Sequence, residues 1–334
     1  MSVPSIAPAS ALLTVRQLRV YFPPLKRWGR AKSGAVKAVD GIQLDLNAGE
    51  TLGIVGESGC GKSTLARALV GLQPVTSGAV LLDGQDLTRL GAEGWRRQRR
   101  QMQMVFQDPL ASLNPRLTIG QNIAEPLINL FPELSARQRW ERVQEILPKV
   151  GLKPEHANRY PHEFSGGQNQ RAGIARALVV RPRVLVCDEA VSALDVTVQA
   201  QIVELLMQLQ REFQLAMLFI AHDLAVVRKI SHRVLVMYLG KIMEQAPTAQ
   251  LFREPRHPYT RALLAAVPVP DPRAERAREK IILEGELPSP ADPPEGCVFR
   301  TRCPIADNIC GTQVPGLRKL SGGSYAACHF VADV

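Results

Sequence analysis

A glycine-rich loop that ends in a lysine and a serine has the residue types that bind nucleotide phosphates. The pattern G-x-x-x-x-G-K-[ST] spans residues 56–63, between an apolar run over 51–55 and a helix predicted to begin near Lys62. Glycines let the backbone wrap closely around phosphate, and the helix directs the positive end of its dipole at the same anion. This loop predicts a nucleoside triphosphate site. Its candidate binding residues are Gly56, Glu57, Ser58, Gly59, Cys60, Gly61, Lys62, Ser63 and Thr64.

Three side chains of this loop have distinct chemistry. Lys62 supplies a point charge for the β- and γ-phosphates, and the hydroxyl of Ser63 can bind Mg²⁺. Cys60 has two interpretations. A helix N-terminus lowers a thiol pKa and would suit a redox or catalytic role, whereas the simpler interpretation is a small side chain of which only the backbone is used.

Four cysteines near the end of the chain are a second set of residues with possible chemistry. They follow the spacing C-x5-C-x6-C-x17-C and are Cys297, Cys303, Cys310 and Cys328. In a cytosolic protein such a set indicates metal or iron–sulfur binding before it indicates disulfides. The paired C-x2-C typical of structural zinc is missing, which counts against zinc. The alternatives for these cysteines are an iron–sulfur cluster, zinc and free thiols. His329 is a possible substitute ligand.

The elements that position these residues follow an α/β pattern. Residues 12–265 alternate apolar runs with helical stretches, and the runs 184–187 and 217–220 predict central parallel strands. The section 109–180 lacks strand signals and predicts a helical insertion. Prolines punctuate the chain after residue 266. The predicted organisation is therefore a flexible N-terminus (1–11), an α/β domain that contains the phosphate loop (12–265) and a C-terminal region (266–334).

Five further motifs occur in the order typical of ABC ATPases. Residues 164–168 resemble the signature, 184–189 the Walker B strand and 192–195 the D-loop, while Gln107 and His222 stand at the Q-loop and switch positions. The chain is thus identified as similar to an ABC nucleotide-binding domain. This resemblance implies a P-loop NTPase fold of the RecA type with a helical subdomain, and an ATPase activity.

The resemblance assigns a role to each polar residue of these motifs. Asp188 would bind Mg²⁺ opposite Ser63, and Glu189 would be the general base that polarises the attacking water. His222 would hydrogen-bond the γ-phosphate, and Gln107 would contact Mg²⁺ or the water and report occupancy to membrane subunits. A structural ion pair for Glu189 and a core position for His222 are the alternatives.

The signature resembles a site that serves a second ATPase. In the family it caps the γ-phosphate of ATP bound to a partner, so that two nucleotides lie in a head-to-tail dimer. The residues that carry this resemblance are Ser165, Gly166, Gly167, Gln168 and, in the D-loop, Asp195. Phe22 aligns with the aromatic that stacks on adenine, and its neighbour Tyr21 is the alternative.

Other segments resemble the ATPases of oligopeptide and dipeptide importers, in particular their F-type members. They are residues 106–116, 159–164, 256–264, 285–290 and 296–304. The resemblance implies a paralogous D-type ATPase, two transmembrane permease subunits and a periplasmic or lipid-anchored peptide-binding protein as partners. It also implies a [4Fe–4S] cluster on the four cysteines, with zinc second. Asn169 and Ala190 depart from the usual family residues, which leaves the relative activity of the two ATP sites open.

Composition limits the location and the partners. The formal net charge is +10, which favours anionic partners, yet neither a secretory signal nor an apolar run of membrane-spanning length is present. We therefore expect a peripheral protein on the cytoplasmic face of the inner (plasma) membrane. The alternative is a soluble ABC ATPase acting on ribosomes or nucleic acid. Such proteins usually carry two cassettes and this chain has one, so no nucleic-acid partner is expected.

Overall fold

Among the residues that the structure describes, five parallel strands form the centre of the larger of two β-sheets. The computed structural model describes residues 11–24, 34–267, 283 and 285–331. In spatial order the central strands are β6 (Met102–Val105), β7 (Val184–Asp188), β8 (Ala216–Ile220), β3 (Thr51–Val55) and β9 (Arg233–Tyr238). Every residue of β3, β7 and β8 is buried, as expected for parallel strands covered on both faces. The three strands predicted from apolar runs are confirmed.

The C-terminal region extends the same sheet. Strand β10 (Lys241–Pro247) pairs antiparallel with β9, and the two-residue strands β12 (Tyr325–Ala326) and β11 (Arg318–Lys319) continue outward from it. The chain beyond residue 285 therefore packs on the cassette. Phe299 is completely buried, and its ring lies 5.3 Å from the ring centroids of both Tyr238 and Tyr259.

A second, antiparallel sheet packs against the helix that follows the phosphate loop. Its spatial order is β2 (Val36–Leu46), β1 (Leu13–Phe22), β4 (Ser77–Leu82) and β5 (Gln85–Asp86). Leu13 and Ile42 of this sheet share one buried core with Leu65 and Leu69 of helix α1. Burying these apolar side chains fixes the helix, and with it the loop that begins it.

Helices cover the sheets and fill the section between β6 and β7. They are α1 (Lys62–Leu69), α2 (Ala92–Gln98), α3 (Pro109–Ser112), α4 (Ile119–Leu130), α5 (Ala136–Lys149), α6 (Gly166–Leu178), α7 (Val196–Phe213), α8 (Leu224–Ile230), α9 (Thr248–Arg253), α10 (Pro258–Ala265) and α11 (Asn308–Thr312). Capping boxes begin α4, α5 and α6, where a Ser or Thr and the Gln three residues later satisfy each other's backbone N–H groups. Within the described residues, no helix is both long and apolar enough to cross a bilayer.

Candidate functional site

The phosphate loop has the close backbone contacts that its glycines permit. Gly61 has a φ of 104°, and a Cβ atom there would lie 1.9 Å from the carbonyl oxygen of Ala38. A Cβ on Gly56 would lie 2.2 Å from the carbonyl oxygen of Met237. Any larger residue at these two positions would push the loop away from the strands behind it, so the glycines define its shape.

Lys62 lies inside this loop with its ammonium group bound to the backbone. Its side chain is 4% exposed, and Nζ donates to the carbonyl oxygens of Gly56 (2.8 Å) and Glu57 (3.0 Å). No side chain caps the N-terminus of α1, so its first N–H groups are available to an anion. Cys60 is buried, and burial raises the pKa of its thiol, which contradicts a reactive low-pKa cysteine and favours the simpler interpretation.

Two oxygen ligands meet at the end of β7. The hydroxyl of Ser63 donates to Oδ1 of Asp188 at 2.8 Å. Asp188 is 3% exposed, and burial raises the pKa of its carboxyl, although the hydrogen bond from Ser63 and the charge of Arg67 oppose that shift. A hydroxyl beside a buried carboxylate is the hard-oxygen donor set that Mg²⁺ prefers. These residues therefore fit the predicted magnesium ion.

The three predicted catalytic residues lie together at the neighbouring strand ends. The amide of Gln107 donates to Oε2 of Glu189 at 2.9 Å, and Nδ1 of His222 lies 4.0 Å from the same oxygen. Glu189 has a φ of 49°, which is uncommon for a non-glycine residue, and its N–H donates to the carbonyl of Ile220 at 3.0 Å. Backbone strain of this kind concentrates at functional sites because the surrounding structure must hold it in place.

A cavity of about 400 Å³ lies against the phosphate loop and extends to Gln107 and Glu189. It is lined by Phe22, Val36, Ala38, Ser58, Gly59, Gly61, Lys62, Ser63, Thr64, Gln107, Glu189 and Pro290. Phe22, the predicted adenine-stacking residue, lines this cavity. Tyr21, the alternative, instead donates its hydroxyl to Oδ1 of Asp40 at 2.6 Å. Pro290 lies in the family-like segment 285–290 but was not predicted to line the nucleotide site. Its carbonyl accepts from the N–H of Lys37 at 3.1 Å.

The signature and the D-loop form a separate surface. The hydroxyl of Ser165 accepts from the N–H of Gln168 at 3.3 Å, and the carboxylate of Asp195 caps α7 by accepting from the N–H of Val198 at 3.0 Å. A Cβ on Gly167 would lie 2.5 Å from the side chain of Val198, so this glycine lets the two motifs pack together. The residues 165–168 and Asp195 do not line the 400 Å³ cavity.

Asn169 and Ala190, the two departures from the family pattern, are both buried. Asn169 is fully buried, and its side-chain amide donates to the carbonyl oxygens of Pro161 (3.0 Å) and Phe164 (3.3 Å). It therefore ties down the segment that precedes the signature. Ala190 is 1% exposed and lies in the core.

Two residues of the C-terminal half contact the phosphate loop through Glu57. The hydroxyl of Tyr259 accepts from the N–H of Glu57 at 2.9 Å, and Nη1 of Arg302 donates to both of its carboxylate oxygens, at 2.8 and 3.0 Å. The N–H and the carboxylate of this predicted nucleotide-binding residue are thus engaged by protein. Sequence reasoning missed Tyr259 and Arg302, and only their place in segments 256–264 and 296–304 hinted at importance.

The four C-terminal cysteines are gathered at one place. Burial raises the pKa of Cys303 to about 11, and the other three thiols add to that shift. Cys297, Cys310 and Cys328 are buried. Among the described residues, no group of three or more His, Cys, Asp or Glu is arranged to hold a metal ion, so the predicted iron–sulfur cluster and zinc are not confirmed. His329 hydrogen-bonds the carbonyl of Gln313 at 3.1 Å.

A larger cavity, of about 1010 Å³, opens on the other side of Gln107. Its lining includes Arg96 of α2, Arg99 just after α2, Glu125 and Asn129 of α4, and Asp188. Gln107 lines both cavities, so its side chain lies between the nucleotide site and this groove.

Comparisons with known proteins agree with this geometry. Residues 39–192 match the ABC transporter family, and residues 243–310 match the oligopeptide/dipeptide transporter C-terminal region. The chain is 57% identical to the oligopeptide transport ATP-binding protein OppF of Salmonella typhimurium over 308 residues, 92% of each chain. It is 53% identical to AppF of Bacillus subtilis, covering 95% of this chain and 97% of that protein.

Solved structures support the fold. The dimeric ATP-binding cassette MJ0796, in a post-hydrolysis state with ADP and Pi, superposes with a TM-score of 0.62 at 28% identity, covering 71% of this chain and 98% of the other. The cbiO1 protein of Clostridium perfringens gives a TM-score of 0.63 at 27% identity, covering 73% and 92%. The phosphate loop, the residues gathered around Glu189 and these likenesses lead to one conclusion: the chain belongs to the ABC transporter ATP-binding proteins of the oligopeptide/dipeptide family.

Proposed function

We propose that this chain hydrolyses ATP to power the import of oligopeptides or dipeptides. The observation that carries the proposal is the position of Glu189, which lines the phosphate-loop cavity. Its carboxylate accepts from Gln107 and lies 4.0 Å from Nδ1 of His222. The substrate class is supported by the transport proteins that match over 92% of the chain. The alternative of an ATPase acting on ribosomes or nucleic acid has no such support.

The residues divide the reaction between binding and proton transfer. The loop amides and Lys62 hold the phosphates, while Ser63 and Asp188 hold Mg²⁺, which supplies charge neutralisation when it is bound. Glu189 accepts the proton of the attacking water and His222 orients that water against the γ-phosphate. Gln107 fixes the carboxylate of Glu189 by its 2.9 Å hydrogen bond.

The complete site includes a partner. We place the signature residues, Ser165 to Gln168, on the γ-phosphate of ATP bound to a paralogous D-type ATPase in a head-to-tail dimer. The arrangement is supported by the MJ0796 relative, which was solved as a dimer. The closing of this dimer would drive movement of the membrane subunits.

The transporter would contain two transmembrane permease subunits, and one of them would dock in the 1010 Å³ groove of this chain. Gln107 lines this groove and the nucleotide cavity, so that it can transmit the state of one to the other. A periplasmic or lipid-anchored binding protein would deliver the peptide. This assembly places the chain at the cytoplasmic face of the inner (plasma) membrane as a peripheral subunit.

The four C-terminal thiols are proposed to hold a [4Fe–4S] cluster. The spacing of the four cysteines and the burial of Cys297, Cys310 and Cys328 support the proposal. A cluster would cross-link this proline-rich region and stabilise its fold. Anaerobically purified protein should contain iron and acid-labile sulfide in equal amounts, and Cys310→Ser should lose both while Cys187→Ala keeps them. Zinc without sulfide in the wild-type protein would contradict the proposal.

The decisive experiment measures ATP hydrolysis by the transporter reconstituted in lipid vesicles. Wild-type chain, Glu189→Gln and the exposed control Glu141→Gln are compared with and without peptide-loaded binding protein. We expect peptide-stimulated hydrolysis that falls at least a hundredfold in Glu189→Gln, the range of one general base, and is unchanged in Glu141→Gln. Hydrolysis that is indifferent to Glu189 would move the chemistry to the partner's site, and indifference to peptide would refute the substrate class.

A further inference from the structure

Glu57 is a phosphate-loop residue whose side chain is held from outside the cassette core. Nη1 of Arg302 donates to its Oε2 at 2.8 Å and to its Oε1 at 3.0 Å. The Arg302 side chain is 10% exposed and that of Glu57 is 26% exposed. Water screens this pair much less than it screens a surface ion pair. Its electrostatic interaction energy is therefore larger than that of an exposed pair.

The backbone of Glu57 links this ion pair to the phosphate-binding lysine. Its N–H donates to the hydroxyl of Tyr259 at 2.9 Å, and its carbonyl accepts from Nζ of Lys62 at 3.0 Å. Three contacts therefore fix one residue: Arg302 on the side chain, Tyr259 on the amide and Lys62 on the carbonyl. A movement of Glu57 would displace the ammonium group that must meet the β- and γ-phosphates.

Arg302 is itself held by a rigid part of the molecule. Its N–H donates to the carbonyl of Phe299 at 3.0 Å. The Phe299 ring is completely buried between Tyr238 and Tyr259, with both ring centroids 5.3 Å away. The backbone of Arg302 is thus anchored beside packed aromatic residues, which limits the movement of its side chain before it binds Glu57.

The charge of Glu57 gives the ion pair a second effect. A carboxylate on a loop that binds a triphosphate repels the ligand unless a cation neutralises it, because like charges in a partly buried site interact strongly. Burial is the largest single influence on Arg302 and lowers its pKa, but the hydrogen bonds and charges of Glu57 and Tyr238 together outweigh burial, and the net shift of the pKa is upward. Arg302 therefore stays charged and cancels the negative charge of Glu57.

We propose that Arg302 is a positioning residue for ATP binding, which acts through Glu57: it fixes the loop that carries Lys62 and neutralises a carboxylate beside the phosphates. The C-terminal region is thereby part of the nucleotide site. This inference rests on the proposed ATPase function.

The test measures the dissociation constant of Mg-ATP with the purified full-length chain. Arg302→Met should raise it about tenfold, which corresponds to about 1.4 kcal/mol. Arg302→Lys should restore most of the affinity. The double variant Arg302→Met/Glu57→Gln should bind more tightly than Arg302→Met, since no uncompensated carboxylate is left. The matched control is Arg300→Met, because Arg300 lies in the same turn but donates to the carbonyl of Glu295 instead of the loop.

Two further readouts separate positioning from mere support of the fold. In the reconstituted transporter, Arg302→Met should raise KM for ATP about tenfold and change kcat less than twofold. A folded Arg302→Met chain with wild-type ATP affinity would overturn the inference, and so would a double variant that binds ATP no better than Arg302→Met. If the wild-type chain itself failed to bind ATP, the proposed function would fail instead.

Discussion

The buried histidine at the start of α10 predicts a loss of stability in mild acid. His257 is 1% exposed, and its Nδ1 accepts from the N–H of Tyr259 at 3.0 Å, which caps the helix. Burial lowers the pKa of His257 from 6.5 to about 4, although a hydrogen bond that the ring donates to the backbone carbonyl of Ala327 opposes the shift. The folded chain therefore keeps this ring neutral well below the pH at which an unfolded chain protonates it.

The sign and the size follow from proton linkage. Between pH 6.5 and about 4 the unfolded state binds more protons than the folded state at His257, so stability falls as the pH is lowered through this window. Each pKa unit is worth about 1.4 kcal/mol, so the full effect is about 3 kcal/mol. Glu244, which accepts from the N–H groups of Arg256 and His257, acts in the opposite direction because burial raises its pKa.

The assay compares urea unfolding of the wild-type chain and His257→Asn between pH 4.5 and 7.5. Asparagine keeps a cap for α10 but does not titrate, and Glu244 is present in both proteins. The wild-type chain should lose about 2–3 kcal/mol more than the variant over this range. Parallel pH curves for the two proteins would refute the reasoning.

Three other substitutions have outcomes that the structure specifies. Phe299→Ala should cost about 3–5 kcal/mol of stability in urea unfolding, because its ring is fully buried, whereas the exposed Phe330→Ala should change little. Gly61→Ala should abolish nucleotide binding in titration calorimetry, because the added Cβ would lie 1.9 Å from the carbonyl oxygen of Ala38. The control Gly84→Ala is also at positive φ, but its added Cβ would meet no described atom within 4 Å, so this variant should still bind. Ser165→Ala should lower stability by about 1 kcal/mol through loss of the helix cap, and circular dichroism melts that match wild type would contradict this.

Much of the fold and the candidate site could be predicted because their signals are local. The phosphate loop is eight consecutive residues between a strand and a helix, and the central strands are short apolar runs whose burial on both faces follows from their composition. The roles of Asp188, Glu189, Gln107 and His222 came from motif order. The structure then gathered these residues, because the ends of parallel strands meet at one edge of the sheet.

Tertiary structure decided the contacts that join the two ends of the chain. Arg302 and Glu57 are 245 positions apart, and no periodicity relates residues at such a distance. Strands β11 and β12 have two residues each, too few for an alternating pattern to show, and they exist because β10 offers a free edge. Cys60 likewise needed the fold, because its position at a helix N-terminus left a low-pKa thiol as one of two interpretations, and only the burial that raises its pKa decides between them. Local hydrogen bonds are determined by neighbouring residues in the sequence, whereas burial and long-range pairing depend on how the whole chain packs.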